Sequence, residues 1–177
     1  RDRELPDGYT AKRHFDAWNE YYKLYCVERA KHGLFAEVAS PTYGKWFLPE
    51  LVNMYDFAED QALRENMEKL LHLTWADWSV EQLGGIRGGG RTRVYQGNYS
   101  WRGRHDSWRA MGLILLGRGD WFDPVHGQAN YVLSTTNYRL PDIIIDLALS
   151  EAKRGEYEYT SLRPAKLKHA GDSQIAY

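Results

Sequence analysis

Apolar residues recur at spacings of three and four along most of the chain, the pattern of helices buried along one side. From Tyr9 to about Lys31, Phe15, Trp18, Tyr22 and Tyr25 make one such stripe, and Gly33 supplies a stop. A second helix is predicted from about Pro41 to Phe57, with Leu48, Leu51, Val52 and Tyr55 on one face. Ser40 suits its N-cap, Pro41 its first position, and Pro49 is expected to kink its early turns. The turn Ala58-Glu59-Asp60 is so short that the third helix must fold back antiparallel on the second. Capped by Asp60, that helix carries Leu63, Met67, Leu70, Leu71, Thr74, Trp75 and Trp78 toward Leu83, where Gly84-Gly85 ends it.

After a glycine- and arginine-rich stretch, Asp106 to Leu116 reads as a fourth helix with Trp108, Met111, Leu113 and Ile114. Gly117 to Thr136 has turn chemistry and is expected to be irregular. Pro141 to about Lys153 makes a fifth helix, and Glu156-Tyr157-Glu158-Tyr159-Thr160 is strand-like. The whole is an all-α pattern: antiparallel helix pairs as in an (α/α) toroid or solenoid, one domain over residues 1–177. Five helices are too few to close a ring. Either a smaller open array or a piece of a larger unit is expected, completed by the remainder of a longer chain or by a second copy.

Composition narrows the function. Of 177 residues, 43% are hydrophobic and 14% aromatic, with 7 Trp and 13 Tyr, enough for a core and for platforms under flat ligands. A net charge of −1 with no basic half gives no support to nucleic-acid binding. No apolar run approaches a membrane span. The single Cys26 excludes a disulfide framework and reads as a small core residue. The 6 histidines are scattered without ligand spacing, so neither a metal nor any cofactor is expected. The chain opens on Arg1 with no signal-like segment, so it is expected to be processed or excerpted. Asn98-Tyr99-Ser100 fits a glycosylation acceptor and points weakly to secretion.

The chemistry concentrates in residues 84–105 and their flanks. Gly85-Ile-Arg-Gly-Gly-Gly90-Arg91-Thr92 resembles a phosphate-binding loop in letters only: a helix precedes it and a strand-like run follows, the reverse of what that loop requires. Glycines there let the backbone approach a ligand, and arginines offer fixed forks for carboxylates, sulfates or phosphates. A solvated basic hairpin is the competing reading. Gly-x-Ser-x-Gly is absent, so no nucleophilic serine is indicated.

Gly33-Leu-Phe-Ala-Glu37-Val-Ala-Ser-Pro-Thr-Tyr43, Asn53-Met-Tyr-Asp-Phe-Ala-Glu-Asp60, Leu63-Arg64, Trp75-Ala-Asp77 and Gly90-Arg91-Thr-Arg93-Val-Tyr95 together resemble the helical toroid domains of heparinase- and alginate-lyase-like proteins. The resemblance spans roughly residues 9 to 150 and lies in texture rather than in one diagnostic motif. It implies a toroid whose loops form a cleft for a polysaccharide or oligosaccharide, and an extracellular or periplasmic setting. A lyase must neutralise a uronate carboxylate, remove the adjacent proton and protonate the leaving oxygen. Arg91, Arg93, Arg102 and Arg104 suit the first task, with Glu37, Tyr99 and Trp101 also against substrate. His105, Tyr95 and Tyr43 are the candidate proton carriers, and Tyr99 shares that chemistry. Tyr43 would equally suit a core place, and His105 a helix start beside Asp106. A glycoside hydrolase would need two opposed carboxyls, for which Asp56, Glu59, Asp60, Asp77, Asp106, Asp120 and Asp123 are available. A non-catalytic glycan- or protein-binding scaffold is the third reading.

Overall fold

A computed structural model of the chain describes residues 3–35, 37–41, 43–88, 106–118, 128–160, 167–168 and 174–175. Its regular structure is mostly helical. In chain order come α1 (Ala11–His32), α2 (Gly44–Phe57), α3 (Gln61–Glu81), β1 (Gln82–Leu83), β2 (Ile86–Arg87), α4 (Ser107–Leu116), α5 (Gln128–Thr135), α6 (Asp142–Leu149), α7 (Glu151–Arg154), β3 (Leu167–Lys168) and β4 (Gln174–Ile175). The strands form two antiparallel hairpins, β1 with β2 and β3 with β4.

The hub is α3. Helices α1, α2 and α6 pack on it, while α4 and α5 pack on each other and on α2. The α2–α3 hairpin forms as the short turn requires. Asp60 Oδ1 accepts the Leu63 N–H at 2.9 Å, capping α3, and its Oδ2 accepts from Lys23 Nζ of α1 at 3.0 Å. Leu48, Leu51 and Val52 of α2 are buried with Leu63, Met67, Leu70 and Leu71 of α3, the periodic face read from the sequence. Above them Trp75, Trp78 and Trp108 are fully enclosed, with Trp75 edge-to-face on both others at 5.3 and 5.6 Å. Residue 112 of α4 lies against the Trp78 ring of α3, where only glycine fits without the ring shifting. A Cβ there would lie 2.5 Å from the Trp78 ring. Alanine is the better helix former by about 1 kcal/mol, yet overpacking against an enclosed ring costs more. Gly112→Ala is therefore expected to lose about 2 kcal/mol net in urea unfolding.

Two titratable groups carry further expectations. Tyr138 is enclosed against Tyr55 and His72, and its hydroxyl finds no hydrogen-bond partner among the described residues. Burial pushes its ionisation far up. Because an orphaned buried hydroxyl costs stability, Tyr138→Phe should raise the melting temperature, by the equivalent of about 1 kcal/mol. Asp60 is held below its ordinary value of 3.8, first by the Leu63 N–H and then by Lys23. A carboxyl lowered in the folded state contributes stability above its unfolded pKa, and that contribution disappears as pH falls through the folded one. Stability should therefore drop as pH goes below about 4. Asp60→Asn, which still caps, should show a flatter acid limb in pH-dependent unfolding.

Several sequence expectations are corrected. Helix α2 begins at Gly44, not Pro41; Ser40 Oγ instead accepts the Tyr43 N–H at 3.2 Å in the preceding turn. Helix α3 ends at Glu81, and Gly84-Gly85 serves as the β1–β2 turn. A helix, α5, occupies 128–135, inside the stretch expected to be irregular. The predicted fifth helix breaks at Ser150 into α6 and α7, and residues 156–160 form no strand. The α1 stripe is not core along its length: Cys26 is buried, but Phe15 and Trp18 are 44% and 55% exposed. Helix α1 rests on α3 through its C-terminal half, with Tyr22 and Tyr25 half-buried against the core. Cys26 lies 3.6 Å from Met67 Sδ, and burial raises its thiol to about 11.

Candidate functional site

At the end of α3 the chain turns sharply. Gly84 and Gly85 both adopt left-handed backbone (φ 56° and 81°), the conformation a two-residue hairpin demands and side chains resist. Gln82 locks the turn: its Oε1 accepts the Gly85 N–H at 2.7 Å and its Nε2 donates to Ala148 O of α6 at 2.6 Å. Glu151 of α7 accepts the Gly84 N–H at 2.8 Å. The hairpin thereby sends Arg87 back into the protein.

Arg87 is 2% exposed. Its guanidinium donates to Asp77 Oδ2 and, at 2.5 Å, to Glu81 Oε2, two carboxylates one turn apart on α3. Val38 O lies 3.4 Å from Nη1, and the Trp108 ring 6.0 Å from Cζ. The Tyr159 hydroxyl donates to Asp77 Oδ1 at 2.6 Å, and Tyr157 donates to Val80 O, so the 155–160 segment lies along the last turns of α3. A charge cluster this enclosed stands only because each member has partners.

One foot of the 88–106 stretch stands on this cluster, and the other stands on the 37–41 turn beside it. At one foot the Gly88 N–H donates to Glu81 O at 2.8 Å. At the other, Asp106 is buried and its Oδ1 accepts the Trp108 N–H at 2.9 Å, making the predicted cap of α4. Ser107 donates through N–H and Oγ to Pro41 O at 3.0 and 2.7 Å. The 37–41 turn thus touches both feet, through Val38 O and Pro41 O. Glu37 and Tyr43 flank those two carbonyls, each half-buried. Tyr43 occupies the N-cap of α2 rather than its interior, and Gly44 beside it packs so closely on Trp108 that a Cβ would lie 2.6 Å from Nε1.

Of the sequence-predicted site residues, Glu37 and Tyr43 therefore sit at the base of the stretch. Arg91, Arg93, Tyr95, Tyr99, Trp101, Arg102, Arg104 and His105 lie outside the described residues, as does the Asn98 acceptor triplet. Four of the candidate hydrolytic carboxylates are committed to the fold. Asp77 binds Arg87, Asp106 and Asp60 cap helices, and Asp56 Oδ1 accepts the Asn137 N–H at 3.0 Å. Among the described residues no group of three His, Cys, Asp or Glu could hold a metal ion, and no helix is long and apolar enough to cross a membrane.

Sequence reasoning missed Arg87. Its signal was on the partner helix: Asp77 lies between Trp75 and Trp78 on an apolar face, and a carboxylate there needs a cation. No protein-family model, curated protein or solved structure matches the chain.

Proposed function

We propose that the chain is a carbohydrate-active, polysaccharide lyase-like protein of the (α/α) toroid type, holding an acidic glycan at the 88–106 stretch and cleaving it by β-elimination. The supporting observation is that the 37–41 turn bonds Arg87 through Val38 O near one end of that stretch and Ser107 through Pro41 O at the other, with Glu37 and Tyr43 beside those carbonyls. In this reading Arg91, with Arg93, Arg102 and Arg104, neutralises the uronate carboxylate and so acidifies the neighbouring C–H. His105 or Tyr95 takes that proton, and Tyr43 is the candidate at the base for returning one to the leaving oxygen. Glu37, Tyr99 and Trp101 line the substrate. An extracellular or periplasmic location goes with such a substrate.

The hydrolase alternative is weakened because Asp56, Asp60, Asp77 and Asp106 are already bonded within the fold. A panel of alginate-, heparin- and pectin-like substrates tests the proposal directly. A lyase produces an unsaturated sugar absorbing near the ultraviolet edge. New reducing ends without that absorbance would make it a hydrolase, and retention of glycan without cleavage would make it a binding scaffold. Neither cleavage nor retention of any acidic glycan would reject the carbohydrate reading of this stretch.

A further inference from the structure

Five large aromatic side chains stand exposed around the N-terminal half of α1 and the end of α2: Tyr9, Phe15, Trp18, Tyr21 and Phe57. Phe57 is 78% exposed and Tyr21 53%. Along α1 the rings join one another. Trp18 stacks on Tyr22 at 5.7 Å and meets Tyr21 edge-on at 5.5 Å, and Tyr9 meets His14 edge-on at 5.7 Å. Beside them Phe15 and Asn19 of α1, with Asn53, Met54 and Phe57 of α2, line a groove of about 490 Å3. The patch thus carries both a protruding ring, Phe57, and a groove.

Charge, ring orientation and area together choose the occupant. Lys12 pairs with Asp16 at 2.5 Å, His14 with Asp7 at 2.7 Å, and Lys23 with Glu20 and Asp60 at 2.5 and 3.0 Å. With its charges paired among themselves, the rim favours neither an acidic nor a basic partner and does not repel its own copy. Trp18 and Tyr21 cross at 87°, Tyr21 and Tyr22 at 77°, so the rings offer ridges and not a common plane on which a sugar chain could lie. Aromatic side chains bury 150–250 Å2 each, so five of them about half exposed or more present about 500 Å2. That is near the upper end of what a soluble monomer leaves uncovered. With the groove walls added it approaches the roughly 600 Å2 per partner at which specific interfaces begin. A two-fold pairing lays one patch on itself, so a knob and a hole on the same patch fill each other. We infer that this face pairs with a second copy of the chain, Phe57 of each copy seated in the groove of the other and Trp18 of each beside Phe15 of the other. The inference does not rest on the lyase reading, because it uses no residue of the 88–106 stretch.

Sedimentation of the full chain from about 1 to 100 μM tests it. A dimer should form with a micromolar dissociation constant and should persist from about 0.05 to 0.5 M salt, because no charge pair crosses the interface. Trp18→Glu and Phe57→Glu, both at exposed positions, should each weaken association at least about a hundredfold while circular dichroism stays the same. Tyr131→Glu, on α5 and as exposed as Phe57, should leave the dimer intact. A monomer throughout that range overturns the inference and leaves the face to another occupant. So does a dimer that survives both patch variants, or one that Tyr131→Glu or salt abolishes. Absence of ultraviolet product with the dimer intact sinks the lyase reading alone.

Discussion

Arg87→Met should cost about 3–5 kcal/mol of stability, the usual effect of stripping one partner from a buried ion pair. The substitution keeps much of the side chain's length and volume, so packing changes little. It leaves Asp77 fully enclosed and Glu81 mostly so, facing each other without the guanidinium between them. For a chain of 177 residues this corresponds to a fall in melting temperature of about 10 °C. The cost belongs to removing the cation from between two carboxylates that stay enclosed, more than to a lost attraction. Accordingly Arg87→Met combined with Asp77→Leu and Glu81→Leu should recover much of it, since apolar replacement of a whole buried pair is often neutral. Urea unfolding of the single and combined variants decides the matter. A single-variant loss below about 1 kcal/mol, the scale of an exposed pair, would mean the cluster is wet.

His105→Ala should lower turnover on the cleaved glycan by about two to four powers of ten with little change in binding, the usual worth of a positioned proton carrier. His105 directly precedes Asp106, whose carboxylate is buried and tied to the Trp108 N–H, so the substitution sits beside an anchored residue and should leave α4 intact. Arg91→Ala should act differently. It should weaken binding of the charged glycan and make that binding less sensitive to salt, because one charge contact is removed. Steady-state kinetics at two ionic strengths separates the two effects. Full activity in both variants would make the stretch structural and remove these residues from the site.

The parts of the fold that were legible in the sequence are those where local and long-range forces agree. Asp60 announces the start of α3, and Leu63, Met67, Leu70, Leu71, Trp75 and Trp78 repeat at helical spacing on its buried side. Asp106 and Gly117 mark both ends of α4. Where local signals compete, the reading failed. Ser40-Pro41 has the letters of a helix start, yet Pro41 O is needed by Ser107 and Ser40 Oγ by Tyr43, so α2 begins later. Helix α5 is short and follows glycine- and proline-marked sequence, which hid its period. On α1, Phe15 and Trp18 show that one side is apolar but not that another element covers it. In the candidate site, the sequence pointed to Glu37 and Tyr43 but passed over Arg87, because an arginine between glycines looks the same whether it faces water or a buried carboxylate pair.

The holding of both ends of the 88–106 stretch, one at Glu81 and one at the 37–41 turn, has a consequence for how this chain can vary. A segment whose ends are already held together adds only closure entropy as it lengthens, about 0.6 kcal/mol for each doubling. Glu81 O holds the Gly88 N–H at one end, and Pro41 O holds Ser107 at the other, beside Asp106 at the cap of α4. Lengthening the chain between Gly88 and Asp106 should therefore cost little in closure entropy. The same frame could carry stretches of different length and recognition chemistry, as a socket accepts different fittings.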